Sequence, residues 1–133
     1  MSKATDPIAD MFTLVRNANH IHSEKVDIPA SKYKLSIAHV LKQEGFISNY
    51  KLIEDRKQGI LRIYLKYTSD GEGVLKDIKR ISRPGLRRFC NKDKLPRVFR
   101  GLGTAMISTS RGILTDVDCR NQGLGGEIIG YVW

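Results

Sequence analysis

Hydrophobic residues recur every three or four positions in the first part of the chain, the spacing of helices that bury one face. Asp6 and Pro7 predict a helix start, because aspartate caps free backbone N–H groups and proline needs none at the first helical position. This helix is expected to end at His20. A second helix is predicted from its cap Ser31 to Gly45, where glycine suits a left-handed end.

Alternating hydrophobic and polar residues predict strands in the rest of the chain. In the first half the predicted strands are 25–28, 46–53 and 60–67, the last two joined by a polar hairpin turn. In the second half they are 77–81, 86–90, 102–108, 113–114 and 127–133. A brief helix is expected to begin after its cap Thr115, with Asp118 at the position of a capping-box acid, and to stop at Gly123.

These elements predict an α+β fold with two small lobes. Residues 1–68 are expected to form an N-terminal α-β-α-β-β lobe, and residues 74–133 a mainly β lobe with one short helix. Between them, residues 68–73 contain no apolar residue and two glycines, a composition typical of a boundary.

Length and composition limit the classes of protein to consider. The 133 residues, of which 41% are hydrophobic, suffice for one domain or two small ones. No hydrophobic run approaches the roughly 20 residues of a membrane-spanning helix, so no membrane partner is expected. Asp6 and Asp10 flank Ile8, which disfavours a signal or transit peptide. Cys90 and Cys119 fit no metal or redox spacing, so we expect no metal site and a reducing, cytoplasmic location.

The positive charge is concentrated in the middle of the chain. The net charge is +9, and residues 76–100 alone contain ten Lys or Arg against two Asp. Such a concentration favours a polyanion as partner, with a solvated basic face as the alternative. Within this stretch Arg87 and Arg88 are candidate phosphate contacts, because the planar guanidinium matches phosphate geometry. Phe89 is expected in the core, with stacking on a base or ribose as the alternative.

Three consecutive hydroxyl residues, Ser108, Thr109 and Ser110, stand between two apolar runs and are followed by Arg111 and Gly112. Hydroxyls donate and accept hydrogen bonds without carrying charge. They suit a surface that reads ribose 2′-hydroxyls and base edges. A plain polar turn is the alternative interpretation.

We find no pattern that indicates catalysis or a cofactor. No phosphate-binding loop occurs, and the glycines near 101–103 and 124–126 precede strands or make turns instead of opening a helix. The histidines, His20, His22 and His39, lack acid or cysteine companions at ligand spacing. An enzyme with a small-molecule substrate is therefore not expected.

Several strings of the chain resemble the S-eight family of small-ribosomal-subunit proteins. They are I-S-T-S-R-G-I-L-T-D at 107–116, G-L-G-G-E-I-I-G-Y-V-W at 123–133, D-P-I-A-D-M at 6–11 with R-N-A at 16–18, E-G-F-I at 44–47, and I-S-R-P-G-L-R at 81–87. They are collinear and cover essentially the whole chain. The chain departs from the family at Phe89, where many relatives have tyrosine.

The resemblance implies a two-lobed, non-enzymatic protein of the small ribosomal subunit. Such a protein binds the central domain of small-subunit rRNA early in assembly and neighbours other small-subunit proteins. By this match the RNA contacts are Ser108, Thr109 and Ser110, then Gly125, Gly126 and Glu127, and, from the N-terminal lobe, Arg16 and Lys32. The charge pattern adds Arg83, Arg87 and Arg88 as contacts, and Arg111 beside the hydroxyls is a further candidate. The sequence leaves open whether the ribosome is bacterial or organellar.

Two other classes compete with this interpretation. A DNA-binding module needs a recognition helix with exposed basic residues, but here the basic residues lie mainly in strands and turns. A nucleotide-dependent enzyme needs a phosphate loop, and none is visible.

Overall fold

The structure, a computed structural model, describes residues 5–133. In these residues helices and two antiparallel sheets combine, which confirms the α+β class. The elements are α1 Pro7–His20, β1 Lys25–Pro29, α2 Lys32–Gln43, β2 Ile47–Ile53, β3 Ile60–Leu65, β4 Ile78–Arg80, β5 Phe89–Cys90, β6 Thr104–Thr109, β7 Gly112–Thr115, α3 Asp116–Gln122 and β8 Gly126–Val132. The first four residues of the predicted N-terminal lobe lie outside the described residues.

The chain forms two compact units. The first unit is Met11–Lys76, and the second joins the described residues up to Asp10 to Asp77–Trp133. Residues 68–73, predicted as the boundary between lobes, fold into a turn in which the Thr68 amide donates to the Glu72 carbonyl at 2.7 Å. The lobe limits 1–68 and 74–133 stay a prediction about how the chain divides.

The first unit contains a three-stranded sheet in the order β1-β3-β2, with α2 packed on β2 and β3. The predicted cap is confirmed, since the Ser31 hydroxyl accepts the Lys34 amide at 3.2 Å. Leu61, Ile63 and Leu65 of β3 are buried, as their alternation predicts. The Lys34 side chain is also buried, and its ammonium donates to the Pro29 carbonyl at 2.8 Å.

The second unit contains a sheet in the order β4-β8-β6-β7, and β5 also pairs with β8. One face of this sheet packs into a core cluster whose buried members are Val98, Ala105, Ile107, Cys119 and Ile128. Thr115 caps α3 by accepting the Asp118 amide at 3.1 Å, and Gly123 ends the helix in the left-handed conformation, both as predicted. Asp6, which directly precedes α1, forms an ion pair of 3.0 Å with Arg80 of the same unit.

The strand predicted at 86–90 is shorter than expected, because side-chain and turn hydrogen bonds replace the ladder at its start. Arg83 and Leu86 exchange backbone hydrogen bonds of 3.1 and 3.0 Å around a tight turn. Ser82 is fully buried, and its hydroxyl accepts the Arg88 amide at 2.7 Å. Only Phe89–Cys90 therefore remains as β5.

The strand predicted at 102–108 was wrong at its first two residues. Leu102 is 88% exposed, and β6 begins at Thr104. A Cβ atom on Gly103 would lie 2.5 Å from the Val98 side chain and 3.0 Å from the carbonyl oxygen of Val132. The chain thus turns into the sheet only after Gly103, which leaves Leu102 in solvent. No helix in residues 5–133 is both long and apolar enough to cross a membrane.

Candidate nucleic-acid interface

The three hydroxyl residues lie at the end of the β6–β7 hairpin, and Thr109 closes its turn. The Thr109 hydroxyl donates to the Gly112 carbonyl at 2.7 Å and accepts the Arg111 amide at 3.0 Å. Gly112 has a φ of +97°, which glycine adopts without strain. The Thr109 hydroxyl therefore already donates its one proton to a hydrogen bond within the protein, and toward a partner its oxygen can only accept.

Ser108 and Ser110 keep their hydroxyls available. Ser110 is exposed and Ser108 is half-buried, and within residues 5–133 neither side-chain oxygen makes a hydrogen bond. Arg111 is exposed beside them and donates to the Gln122 side chain at 3.1 Å, which ties the hairpin to the end of α3. The turn thus presents two free hydroxyls and one braced guanidinium.

Strand register places Ser108 in a row of side chains that crosses four strands. Ser108 of β6 pairs with Ile113 of β7 and with Glu127 of β8, and Glu127 pairs with Phe89 of β5. Residues that pair directly across antiparallel strands point to the same face of the sheet. This face is opposite to the core cluster, because the neighbouring residues Ile107 and Ile128 belong to that cluster.

Arg87 neutralises the one carboxylate in this row. Its guanidinium lies 3.0 Å from Oε2 and 3.3 Å from Oε1 of Glu127, and the Arg87 side chain is 54% exposed against 15% for Glu127. The pair offers donors and acceptors side by side with little net charge. We call Arg87, Phe89, Ser108, Ser110, Arg111 and Glu127 the hairpin surface.

Gly125 and Gly126 belong to this region for a steric reason. A Cβ atom on Gly126 would lie 2.1 Å from the carbonyl oxygen of Ser108, and one on Gly125 would lie 2.4 Å from the carbonyl oxygen of Cys90. Only glycine lets β8 approach β5 and β6 this closely. The two glycines thereby allow Ser108 and Glu127 to lie next to each other.

The expectation that Phe89 is in the core was wrong. Its side chain is 69% exposed, since its pairing with Glu127 directs it to the face opposite the core cluster. Cys90, the next residue along β5, packs against the core cluster instead. The alternation of Arg87 and Phe89 with Arg88 and Cys90 was the available sequence signal, because residues two apart in a strand share a face.

Four other predicted contacts are not members of the hairpin surface. Arg83 and Arg88 line a cavity of about 410 Å³ together with Lys79 and Tyr131. Arg16 of α1 and Lys32, the first residue of α2, belong to the first unit; Lys32 is exposed and Arg16 is half-buried. Of the twelve residues that the sequence suggested, five belong to the hairpin surface and three shape its backbone, namely Thr109, Gly125 and Gly126. Two line the basic cavity and two belong to the other unit.

Burial controls the ionisable groups near the core cluster. It raises the pKa of Tyr131, and the charge of Arg88 partly opposes this shift. Burial also raises the pKa of Cys119 to about 11, and both Cys90 and Cys119 are free thiols. Within residues 5–133 no three His, Cys, Asp or Glu side chains come together as a metal site.

Comparison with known proteins places this chain in a family. The sequence model of the family described as Ribosomal protein S8 matches residues 6–133. The chain belongs to the ribosomal protein S8 family. Its similarity to curated bacterial members extends over nearly the full length of both proteins.

Three relatives illustrate that similarity, and each is named small ribosomal subunit protein uS8. The chain is 58% identical to the protein of Moorella thermoacetica over 129 residues, which are 97% of this chain and 99% of the relative. It is 58% identical to that of Geobacillus kaustophilus and 54% identical to that of Thermodesulfovibrio yellowstonii, in each case over 97% of this chain and 98% of the relative. This chain is therefore a ribosomal protein of the bacterial type.

Proposed function

We propose that this protein is a non-enzymatic constituent of the cytoplasmic small ribosomal subunit. It binds the central domain of small-subunit rRNA during assembly and lies beside other small-subunit proteins. Membership of the S8 family and the names of the bacterial relatives support this proposal. The structural observation that carries it is the hairpin surface.

The hairpin surface fits the minor groove of an RNA helix. That groove is wide and shallow in A-form RNA and displays 2′-hydroxyls and base edges. Ser108 and Ser110 can each donate to and accept from such groups. The Glu127 carboxylate accepts from 2′-hydroxyls or amino groups, and Arg87, 3.0 Å away, limits its repulsion of phosphate. The exposed ring of Phe89 offers a stacking or packing face without a hydroxyl.

The remaining predicted residues act around this surface. Arg111 lies at the hairpin turn and contacts backbone phosphate, and the Thr109 oxygen accepts a hydrogen bond from a 2′-hydroxyl. Gly125 and Gly126 allow the groove to approach the backbone of β8. Arg83 and Arg88 in the cavity, and Arg16 and Lys32 in the first unit, contact further segments of RNA backbone.

Binding to defined RNAs tests the proposal. The full chain is expected to bind a transcript of the small-subunit central domain more tightly than an RNA of equal length and shuffled sequence, at the same salt concentration. It is also expected to co-sediment with small ribosomal subunits. Equal affinity for the two RNAs across a salt titration would contradict specific recognition. Binding to duplex DNA of the same length is the control for a general polyanion affinity.

A further inference from the structure

The second unit has a basic cavity on the face of the sheet opposite to the hairpin surface. Its volume is about 410 Å³, and it is lined by Lys79, Arg80, Ile81, Arg83, Leu86, Arg88 and Tyr131. Tyr131 pairs with Lys79 on one side and with Ala105 on the other, and Ala105 belongs to the core cluster. The floor of the cavity is thus on the core-cluster face, whereas Ser108 and Glu127 point to the other face.

Most of the positive charge in this cavity has no counterion. Arg80 is neutralised by Asp6 at 3.0 Å and also donates to the Ile129 carbonyl at 2.8 Å. The described residues that line the cavity include no carboxylate that could neutralise Lys79, Arg83 and Arg88. By contrast, the cavity of about 400 Å³ at the β2–β3 turn of the first unit is lined by two acids and two bases, Glu54, Asp55, Arg56 and Lys57. Like charges gathered without a counterion favour the binding of an anion.

The backbone at the rim of the basic cavity is held in place before any ligand arrives. The buried Ser82 hydroxyl accepts the Arg88 amide at 2.7 Å and donates to the Arg88 carbonyl at 3.3 Å. Arg83 and Leu86 are joined by backbone hydrogen bonds of 3.1 and 3.0 Å. Two of the cations therefore extend from a braced turn, which reduces the entropy lost on binding.

The cavity also combines chemistry that suits a nucleotide backbone more than a simple ion. Its polar groups are cationic donors and the Tyr131 hydroxyl, and its remaining lining is the apolar side chains of Ile81 and Leu86. Leu86 is 60% exposed and can cover a ribose while the cations hold a phosphate. Guanidinium groups bind non-bridging phosphate oxygens in bidentate fashion.

We propose that the basic cavity binds a backbone phosphodiester of RNA through Lys79, Arg83, Arg88 and Tyr131. This inference rests on the proposed function and adds Lys79 and Tyr131 to its contacts. RNA bound at both sites contacts the second unit from both faces of one sheet. The cavity then supplies salt-dependent affinity separately from the recognition at the hairpin surface.

The test uses the full chain and a labelled transcript of the small-subunit central domain, titrated with salt. The variant K79Q/R88Q removes two charges from the cavity, and the matched control K92Q/K94Q removes two exposed lysine charges from the same unit outside it. The cavity variant is expected to bind roughly tenfold more weakly, with the slope of log affinity against log salt lowered by about 1 to 2. The control is expected to lose little of either. Equal losses in the two variants would overturn the inference.

Further measurements identify which kind of anion the cavity binds. Inorganic phosphate is expected to displace the transcript from the wild type more than chloride does at matched ionic strength, and this excess is expected to vanish in K79Q/R88Q. Binding of poly-glutamate that requires Lys79 and Arg88, with RNA binding unchanged, would assign the cavity to an acidic protein and overturn the inference. If the wild type does not prefer the transcript to its shuffled control, the proposed function itself is contradicted. If the preference is present but K79Q/R88Q keeps the affinity and salt slope of the wild type, this inference alone is contradicted.

Discussion

Arg87 and Arg88 are neighbours in the chain, yet they belong to surfaces on opposite faces of one sheet. Arg87 forms an ion pair with Glu127 at 3.0 Å on the hairpin surface. Arg88 lines the basic cavity, and the described residues that line this cavity include no carboxylate to pair with it. The guanidinium charge is thus compensated at Arg87 and uncompensated at Arg88. Neither residue is part of β5, so contacts set the difference: Arg87 reaches Glu127 of β8, whereas the Arg88 backbone is held by Ser82.

The comparison separates recognition from attraction. A compensated ion pair with free hydroxyls beside it acts over hydrogen-bond distances and depends on the geometry of the partner. Uncompensated charges act over a longer range, and their contribution falls as salt rises. Both surfaces depend on β8, which pairs with β5 and β6 at its start and with β4 near its end.

The largest effect is expected from G126A, because it damages the sheet that carries both surfaces. The new Cβ atom would lie 2.1 Å from the backbone oxygen of Ser108, so β6 and β8 must separate. We expect the free energy of unfolding to fall by about 2–3 kcal/mol and RNA binding to weaken at both surfaces. Urea denaturation and RNA titration measure the two effects.

The matched control for this change is G85A. A Cβ atom on Gly85 meets no atom within 4 Å, and its φ is not in the left-handed region. Stability is expected to stay the same or rise slightly. A G126A protein as stable as G85A would show that β6 and β8 do not depend on this close approach.

The double variant S108A/S110A isolates recognition. Two hydrogen bonds of about 1 kcal/mol each correspond to a roughly 30-fold weaker affinity for the central-domain transcript. The salt slope and the affinity for shuffled RNA are expected to stay unchanged, since no charge is removed. Salt-titrated binding to both RNAs measures this, with S69A at an exposed serine of the turn 68–73 as control. A parallel fall for both RNAs would mean that the hydroxyls do not provide specificity.

Ser82→Ala tests whether the basic cavity is braced. The substitution leaves the Arg88 amide without its 2.7 Å acceptor, and we expect a loss of about 1–2 kcal/mol in the free energy of unfolding. Binding is expected to weaken a few-fold with a lower salt slope, while preference for the transcript over shuffled RNA is kept. A lost preference with an unchanged slope would place the role of Ser82 at the hairpin surface instead.

Glu127→Gln makes the hairpin surface resemble the cavity, and we expect the smallest effect from it. Without the carboxylate, Arg87 becomes an uncompensated cation. The salt slope is expected to steepen by about 0.7 to 0.9, one phosphate contact, and the preference for the transcript to fall. The affinity for shuffled RNA is the measurement that decides, since it should rise at low salt. A slope equal to that of the wild type would mean that Arg87 makes no phosphate contact when freed.

Local sequence patterns were sufficient for most elements of the fold. The caps at Ser31 and Thr115 and the left-handed end at Gly123 depend on residues within a few positions of each other. Prediction failed where a distant part of the chain intervened. Leu102 is exposed because Gly103 packs against Val98 and Val132, and β5 is short because Ser82 takes the Arg88 amide.

The candidate site was predictable in part for the same reason. Ser108, Thr109 and Ser110 could be singled out because they are contiguous, but the sequence does not reveal that Thr109 uses its hydroxyl to close the turn. Nor does it reveal that Glu127 lies beside Arg87. That contact joins residues 40 positions apart, and it needs the register of β5 on β8.

By itself, the sequence determined the fold class, the family resemblance and the presence of basic and hydroxyl residues, because periodicity, caps and charge are local properties of the chain. Tertiary structure alone decided which of those residues share a surface. The ion pair with Glu127 of β8 separates Arg87 from Arg88, and strand register brings Ser108, Glu127 and Phe89 into one row. Both depend on pairing between distant segments, and that pairing turned a single basic stretch into two surfaces of different chemistry.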